Sequence, residues 1–368
     1  MAPPKNADLP RGTVVTTSGS KQLKLQIRVR PLPTAVSEFL LRHSGTIKRI
    51  YARKRHALTD NVETSGDDTP DTINSQEATA DGATSSRNTL SVDEFKRELS
   101  TCFGALKEDK EVWAGALAKI SEFGPRKTGA NILFDATPTG RYEKLFAEGS
   151  NNRPTRDSGL FSDKISYAFQ LATSQGPLCR EPVQGVAVFI EDVTLEETGE
   201  EEQTRLSGEV IRLVRDAVWQ GFLDWSPRIM LAMYSCEIQA TTEVLGRVYG
   251  VVTRRRGRIL SETMKEGTSF FTILSLLPVA ESFGFSDEIR KRTSGAASPQ
   301  LIFTGFEMLD QDPFWVPATE EELEDLGELA DKENVAKRYV DSVRSRKGMV
   351  VAGKKLVKDA EKQKTLKR

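Results

Sequence analysis

Apolar and polar residues alternate along positions 23–30, near the start of the chain. A period of two places every apolar side chain on one face of an extended segment, which predicts a half-buried β-strand. The apolar members are Leu23, Leu25, Ile27 and Val29. Pro31 and Pro33 follow directly and predict the end of the strand, because proline cannot donate a hydrogen bond to a sheet.

Three later segments, 93–120, 161–175 and 208–225, carry apolar residues at the three- to four-residue spacing of an amphipathic helix. The first of these helices is expected to end at the Gly-Pro pair 124–125. A basic stretch at 35–56 is also predicted to be helical.

Short apolar runs at 131–135 and 185–195 predict two further strands. The segments that follow them, 137–158 and the acidic 196–207, read as loops.

The second half of the chain predicts the order strand, helix, strand, strand, helix, strand. The segments are 229–239, 242–253, 258–264, 269–278, 286–291 and 300–309. Thr241 and Ser286 are the expected N-caps of the two helices. This order is that of the ferredoxin-like, split βαβ arrangement.

Three segments have compositions that do not suit a packed core. Residues 1–20, rich in Pro, Gly and Thr, predict a disordered leader. Residues 59–91 hold seven acids, have no Lys or Arg before Arg87 and almost lack large apolar residues, so a disordered insertion is expected there. Residues 316–368 form a charged extension, whose last part, 337–368, carries twelve Lys or Arg against three Asp or Glu.

The fold class predicted is α+β, with ordered domains at 21–226 and 227–315. A length of 368 residues allows two domains with tails, and 38% hydrophobic and 29% charged residues are typical of a soluble protein. The net charge of −1 does not indicate nucleic-acid binding, which would have to come from local patches. No apolar run approaches the roughly 20 residues needed to span a bilayer, and the first residues do not resemble a signal peptide.

The cysteines and histidines indicate no metal or disulfide framework. Cys102, Cys179 and Cys236 are far apart and odd in number, so reduced thiols in the cytosol or nucleus are expected. His43 and His56 have no cluster of Cys or carboxylates beside them, which makes a zinc site improbable.

No segment of the chain has the pattern of a nucleotide site. The sequence GPRKTG at 124–129 partly resembles a phosphate-binding loop, but Lys127 precedes the second glycine and the segment leads into a strand. No guanine-reading motif and no catalytic set of polar residues stands out. No bound cofactor or metal is therefore expected in this chain, and a hidden enzyme is the weakest of the functional hypotheses.

One basic cluster has two interpretations. Four arginines lie at the predicted end of a helix: Arg254, Arg255, Arg256 and Arg258. Cations there interact favourably with the helix dipole, by about 0.3–1 kcal/mol each. The same guanidiniums could contact the phosphates of ribosomal RNA. The basic tail at 337–368 likewise fits either a solvated charged helix or a ribosome contact.

Several long segments resemble the last two domains of translation elongation factor 2. PVAESFGFSDEIRKRTSGAASPQ (278–300) and RIMLAMYSCEIQATTEVLGRVYGVVTRRRGRI (228–259) resemble domain V, and GPRKTGANILFD (124–135) with FQLATSQGPLCREPVQGVAVFIEDVTL (169–195) resembles domain IV. The resemblance implies that 21–226 has the fold of the second domain of ribosomal protein S5. It implies that 227–315 is ferredoxin-like.

Two departures distinguish this chain from the translocase. Residues 194–209, TLEETGEEEQTRLSGE, contain no histidine that could become diphthamide, and their acidity would repel the RNA of the decoding centre. The chain also continues with DPFWVPATEEELEDLGE (312–328) and closes with AEKQKTLKR (360–368). These segments resemble the elongation factor-like GTPase of 60S ribosomal subunit maturation, which also fits the acidic insertion.

The resemblance implies that the chain is the C-terminal half of such a GTPase, with domains IV and V only. GTP and Mg²⁺ would be bound by the GTPase domain, which is missing here. The implied location is cytoplasmic, and the implied partners are the 60S subunit with its rRNA, the Shwachman–Bodian–Diamond protein and, indirectly, initiation factor 6, with no membrane or DNA. The arginine cluster would contact rRNA. The tip loop would contact a partner through Glu196, Glu197, Glu200 and Arg205.

Two alternatives stay open. The chain could be a fragment of the translocase, which a search for diphthamide by mass spectrometry would decide. It could instead be a noncatalytic ribosome- or RNA-binding module that acts without a GTPase partner.

Overall fold

The computed structural model describes residues 9–60, 90–105, 110–138, 144–146, 156–195, 200–264, 266–315 and 334–351. The chain divides into two compact units, Met1–Ser226 and Pro227–Arg368. Residues 61–89 of the predicted insertion lie outside the described residues, whereas Thr59 and Asp60 belong to the end of a helix. No helix in the described part is both long and apolar enough to cross a bilayer.

The first unit contains five described strands and seven described helices. The strands are β1 (Thr13–Thr17), β2 (Leu23–Pro31), β3 (Ile120–Gly124), β4 (Asn131–Asp135) and β5 (Val186–Leu195). The helices are α1 (Thr34–Arg42), α2 (Ser44–Asp60), α3 (Val92–Gly104), α4 (Lys110–Trp113), α5 (Ala116–Lys119), α6 (Arg156–Ser174) and α7 (Glu200–Leu223).

The five strands form one sheet in the order β1-β2-β5-β4-β3. Neighbouring strands are antiparallel except β4 and β5, which are parallel. A parallel pair needs a crossover connection, which α6 supplies. The predicted strands at 23–30, 131–135 and 185–195 are confirmed, and β2 buries one face, as its alternation indicates.

Both faces of this sheet are covered, so its central strands are buried on both sides. On β5, Val186, Val188 and Ile190 pack under α6 and α7, whereas Ala187 and Phe189 face the smaller helices α1 to α5. All five residues of β4 are buried. A strand buried on both faces reads as a continuous apolar run, and this explains why β4 was recognisable despite its short length.

The predicted disorder of residues 1–20 is wrong for 13–17, which form β1 and pair with β2. The segment before β1 is anchored at the end of α7. Arg11 donates to the backbone carbonyl of Asp224 at 2.9 and 3.0 Å, and the amide of Gly12 donates to the Asp224 carboxylate at 2.8 Å. A composition argument missed this strand because β1 depends on pairing with β2 and on an anchor more than 200 residues away, and composition shows neither.

Three other boundaries differ from the sequence-based expectation. The helix predicted at 93–120 is broken into α3, α4 and α5 and ends before Ile120, which begins β3; Gly115 lies in the left-handed conformation at the start of α5. α6 begins within the loop predicted at 137–158. The loop predicted at 196–207 is helical from Glu200, since acidic residues are favourable in the first turn of a helix and Leu206 is buried.

The second unit contains four described strands, three helices and two short 3₁₀ turns. The strands are β6 (Ile229–Thr241), β7 (Arg258–Met264), β8 (Phe270–Pro278) and β9 (Ala297–Leu309). The helices are α8 (Leu245–Arg254), α9 (Phe285–Thr293) and α10 (Val335–Arg346), and the turns are Thr242–Val244 and Val279–Glu281.

The strands of this unit form an antiparallel sheet in the order β7-β8-β6-β9. α8 and α9 pack on one face of it, over a core that includes Cys236, Ile238 and Val251. The six predicted elements are present in the predicted order. The N-cap predicted at Ser286 is wrong: the cap is Gly284, whose φ of 71° favours glycine, because the following Phe285 is drawn into the core.

Asn131, at the start of β4, joins three segments of the first unit. Its fully buried amide donates to the carbonyls of Gly124 (3.0 Å) and Val183 (2.7 Å) and accepts from the amide of Val186 (2.9 Å). It therefore satisfies backbone groups of the β3–β4 turn and of the loop before β5.

Replacing Asn131 with Ala should destabilise the first unit by about 3–5 kcal/mol, because three backbone groups would lose their partner inside the protein. Urea unfolding followed by circular dichroism measures this. The exposed Lys24→Ala variant is the control, and its stability should change by no more than about 0.5 kcal/mol. An equal effect of the two variants would contradict the role given to Asn131.

Candidate nucleic-acid interface

The predicted arginine cluster lies where α8 turns into β7. Arg255 is the C-cap of α8, and Arg256 has a left-handed φ of 57°. The amides of Arg256 and Gly257 donate back to the carbonyls of Thr253 (2.9 Å) and Val252 (2.8 Å). This is the pairing of a Schellman motif, in which glycine is usual at the left-handed position. An arginine there is less favourable than glycine, so this turn is not optimised for stability alone.

Arg255 points inward and supports the fold of the second unit. Its side chain is only 19% exposed, and it donates to the carbonyls of Glu281 (2.6 Å) and Phe283 (2.7 Å) and to the carboxylate of Glu288 (2.8 Å). It therefore joins the end of α8 to the segment that leads into α9. Sequence reasoning placed Arg255 with its neighbours, but its donors are used within the protein.

Glu288 is shared by three arginines. Besides Arg255, it accepts from Arg254 at 3.3 Å and from Arg292 of α9 at 3.2 Å. The Arg255 guanidinium, with smaller contributions from Arg292 and Arg254, lowers the pKa of this carboxyl group. Arg254 is 57% exposed, so water screens its ion pair with Glu288, and this pair restrains the Arg254 side chain only weakly.

The other two predicted arginines lie apart. Arg258, at the start of β7, pairs with Glu307 of β9 at 3.0 Å. The Arg256 guanidinium lies over the ring of Tyr339 in α10, 5.8 Å from its centroid. The structure thus gives each of the four arginines a partner, and it separates one partly buried member from three exposed members.

α10 belongs to the basic extension and is held against the second unit by Glu281. The Glu281 carboxylate accepts from the Arg338 guanidinium at 3.1 Å and from the Tyr339 hydroxyl at 2.9 Å. Burial, followed by the interaction with Glu281, raises the pKa of Tyr339. Ala336 and Val340 supply the buried side chains of the helix. The helical form predicted for the tail is therefore present at 335–346, while residues 352–368 lie outside the described residues.

The predicted tip-loop contacts cannot be placed at side-chain level. Glu196 and Glu197 lie outside the described residues, and Glu200 and Arg205 lie in the first turns of α7 without described side chains. The described edges of the tip are Leu195, which ends β5, and the buried Leu206.

The GPRKTG segment is a turn between β3 and β4, and not a phosphate loop, which would lead from a strand into a helix. The sequence-based expectation that it follows a helix is wrong, since β3 precedes it. Arg126 and Lys127 both have left-handed φ values, of 56° and 58°. Glu122 contacts the turn through the Lys127 ammonium and accepts a hydrogen bond from Ser166 of α6.

The carboxyl group of Glu122 is buried, because only 6% of this residue is exposed to solvent. Burial raises its pKa, although Ser166 of α6 and the Lys127 ammonium, 3.7 Å away, act in the opposite direction. Tyr51 of α2 lies nearby, and its hydroxyl accepts from the amide of Phe123 at 2.9 Å.

Sequence reasoning missed four residues that shape this interface. They are Arg247, Glu281, Glu288 and Arg292. The spacing of seven between Arg247 and Arg254 was a signal that both lie on one side of α8. No local signal could pair Glu281 with a helix more than 50 residues later.

Glu122→Gln should gain stability relative to the wild type as the pH rises from about 4 to about 7. A carboxyl group with a raised folded-state pKa binds protons more tightly when folded, so the wild type loses stability as it ionises, and Gln does not. Urea unfolding across this pH range measures the difference. The exposed Glu38→Gln variant controls for the loss of a surface carboxylate. A pH-independent difference for Glu122→Gln would refute the assignment.

Glu281→Ala should release α10, because Arg338 and Tyr339 lose a shared acceptor worth about 1–2 kcal/mol. Hydrogen exchange of the amides in 335–346 should accelerate by about 5- to 30-fold. Glu262→Ala, which removes a carboxylate bonded to Tyr249 elsewhere in the unit, is the control. Unchanged exchange in α10 would show that Glu281 does not hold it.

Comparison with known proteins gives two family matches. Residues 229–315 match the family described as elongation factor G C-terminus, and residues 28–136 match the elongation factor-like GTPase 1-like domain. The first match covers the four strands and the helices α8 and α9 of the second unit. The second match covers part of the first unit.

The whole chain also aligns with longer relatives. It is 46% identical over 372 residues to ribosome assembly protein 1 of Schizosaccharomyces pombe, which covers 99% of this chain and 35% of that protein. The same protein of Saccharomyces cerevisiae is 41% identical over 382 residues, covering 100% and 31%. Elongation factor-like GTPase 1 of Homo sapiens is 36% identical over 409 residues, covering 96% and 34%.

The chain thus spans about a third of the length of the curated relatives it matches. The similarity extends over nearly all of its residues, and the two family matches name elongation factor G and elongation factor-like GTPase 1. The chain therefore belongs to the family of ribosome assembly protein 1 and elongation factor-like GTPase 1.

Proposed function

We propose that this chain is the ribosome-binding part of an elongation factor-like GTPase that acts in maturation of the 60S subunit in the cytoplasm. In this role the GTPase releases the anti-association factor, initiation factor 6, from the pre-60S particle. The observation that carries the proposal is the 46% identity, over 99% of the chain, to a protein named for ribosome assembly.

The two units would correspond to domains IV and V of the elongation factor family. Support for a ferredoxin-like second unit comes from its β-α-β-β-α-β order and its antiparallel β7-β8-β6-β9 sheet with two helices on one face. Support for an S5-like first unit comes from the crossover β4–α6–β5 and from the resemblance of the sequence.

The exposed arginines of the turn after α8 are the proposed rRNA contacts. Arg254, Arg256 and Arg258 lie at the surface, while Arg255 holds the turn in place. Guanidinium groups suit this role because they remain charged and present several donors to phosphate oxygens. Each such contact would make binding weaker at higher salt.

The acidic tip would contact a protein and not RNA. Glu196, Glu197 and Glu200, with Arg205, are the proposed contacts, and the Shwachman–Bodian–Diamond protein is the partner that the family resemblance suggests. Like charges repel, so an acidic tip is ill suited to enter an RNA-lined site.

GTP and Mg²⁺ would be bound by a part of the relatives that this chain does not match. The 368 residues contain neither a G-x-x-x-x-G-K-[ST] sequence nor a guanine-reading motif, so GTP hydrolysis is not assigned to these two units.

The full chain should co-sediment with purified 60S subunits in preference to 40S subunits, and binding should weaken steeply over a salt series because phosphate contacts release counterions. Denatured chain in the same experiment controls for aggregation. Absence of binding, or equal binding to both subunits, would contradict the proposal. Diphthamide found by mass spectrometry would instead favour the translocase fragment.

A further inference from the structure

Three arginines line the groove between α8 and α9, and only one of them belongs to the arginine cluster predicted from the sequence. Arg247 and Arg254 lie two turns apart on the side of α8 that faces α9, and Arg292 faces them from α9. All three are exposed. Only Arg254 was among the four arginines that the sequence singled out.

The groove carries a net positive charge. Among the described contacts, one carboxylate lies among the three arginines: Glu288, which is 3.2 Å from Arg292 and 3.3 Å from Arg254. Glu288 also pairs with the partly buried Arg255, so three guanidiniums contact this one carboxylate, and Arg247 adds a fourth positive charge at the end of α9. An added anion would therefore meet an excess of positive charge at this point.

The contacts within the groove orient the arginines and leave donors for a ligand. Arg247 donates to the carbonyl of Arg292, at the end of α9, at 3.2 Å. A cation there also stabilises the helix terminus. One hydrogen bond is described for this guanidinium, which has five N–H donors, so capping α9 and binding an anion are compatible.

The surface of α8 beside these arginines is unusually bare. Its exposed residues are Gly246, Arg247, Gly250, Thr253 and Arg254. A Cβ added to Gly246 or Gly250 would meet nothing within 4 Å, so packing within the described structure does not require glycine there. Alanine is the better helix former at both places. Glycine at a helix surface allows the backbone of another molecule to approach closely.

We propose that this groove binds the sugar–phosphate backbone of RNA, with phosphates on Arg247, Arg254 and Arg292 and the strand passing over Gly246 and Gly250. An acidic protein would be the other occupant for a basic groove, but stable protein interfaces depend on aromatic or aliphatic anchors, and the exposed residues of α8 offer none. The inference rests on the proposed ribosomal function, and it assigns RNA contact to the groove.

The first test uses the full chain with Arg247→Ala, Arg292→Ala and the double variant. Binding to 60S subunits, and to protein-free rRNA extracted from them, is measured over a salt series. Each substitution should weaken binding about three- to tenfold and reduce the slope of log K against log salt by about 1. Circular dichroism checks that each variant is folded.

Arg290→Ala is the matched control. It removes the same charge from the same helix, but Arg290 pairs with Asp287, 3.9 Å away, and not with Glu288. The affinity of this variant for 60S subunits and for rRNA should remain within about twofold of the wild type, since Arg290 makes no groove contact. An equal loss in Arg290→Ala and Arg292→Ala would overturn the groove as a specific site.

Gly250→Ala tests the close approach without changing any charge. Its melting temperature should stay equal or rise, because alanine favours the helix, while its affinity for rRNA should fall at least threefold. A role of the glycine in folding alone predicts unchanged affinity. That result would overturn the passage of the strand over α8.

The remaining outcomes separate this inference from the proposed function. If the wild type binds 60S subunits and all groove variants bind equally well, the groove assignment is wrong and the proposed function stands. If the variants lose affinity for intact 60S subunits but not for protein-free rRNA, the occupant is a protein and the RNA assignment is overturned. If the wild type binds neither, both fail.

Discussion

The second unit depends on the partly buried guanidinium of Arg255. A charge removed from water is costly unless opposite charges or dipoles surround it. Here the carbonyls of Glu281 and Phe283 and the carboxylate of Glu288 do so, from three places along the chain. Glu281 and Phe283 precede α9, and Glu288 lies within it. The hydrogen bonds that Arg255 makes to them therefore fix where α9 starts relative to the end of α8. The groove between the two helices therefore follows from the position of a partly buried ion pair.

The first unit is organised by burial on both faces of one sheet. Helices α6 and α7 cover one face and five shorter helices cover the other, so the inner strands carry apolar side chains on both faces of the sheet. Phe134 and Phe189 stack across neighbouring strands with centroids 4.7 Å apart. Such a sheet cannot expose its strands to a ligand, and contacts with partners must be made by its ends and loops.

The sequence predicted the elements whose pattern is local and missed those that depend on distant partners. β2 was recognisable from its alternation and from the prolines at its end, and the order of the second unit from its periodicity. β1 was missed because it is stabilised by pairing with β2 and by the anchor of the preceding residues on Asp224, which no local pattern shows. β3 was missed because its apolar residues continue the spacing of the preceding helix. Among the site residues, the run Arg254–Arg256 looked uniform, but one turn of a helix points its members in different directions, and only a structure separates Arg255 from its neighbours.

Because α10 packs on the second unit, the end of the family match does not coincide with the end of the folded unit. The family match in the second unit ends at residue 315, yet Arg256 and Glu281 find their partners at Arg338 and Tyr339. A chain shortened at the family boundary would retain all four strands but lose those partners. If such a shortened chain bound more weakly, the loss could not be assigned to the positive charge of the tail alone. The truncation would also remove the ring of Tyr339, which packs against the Arg256 guanidinium.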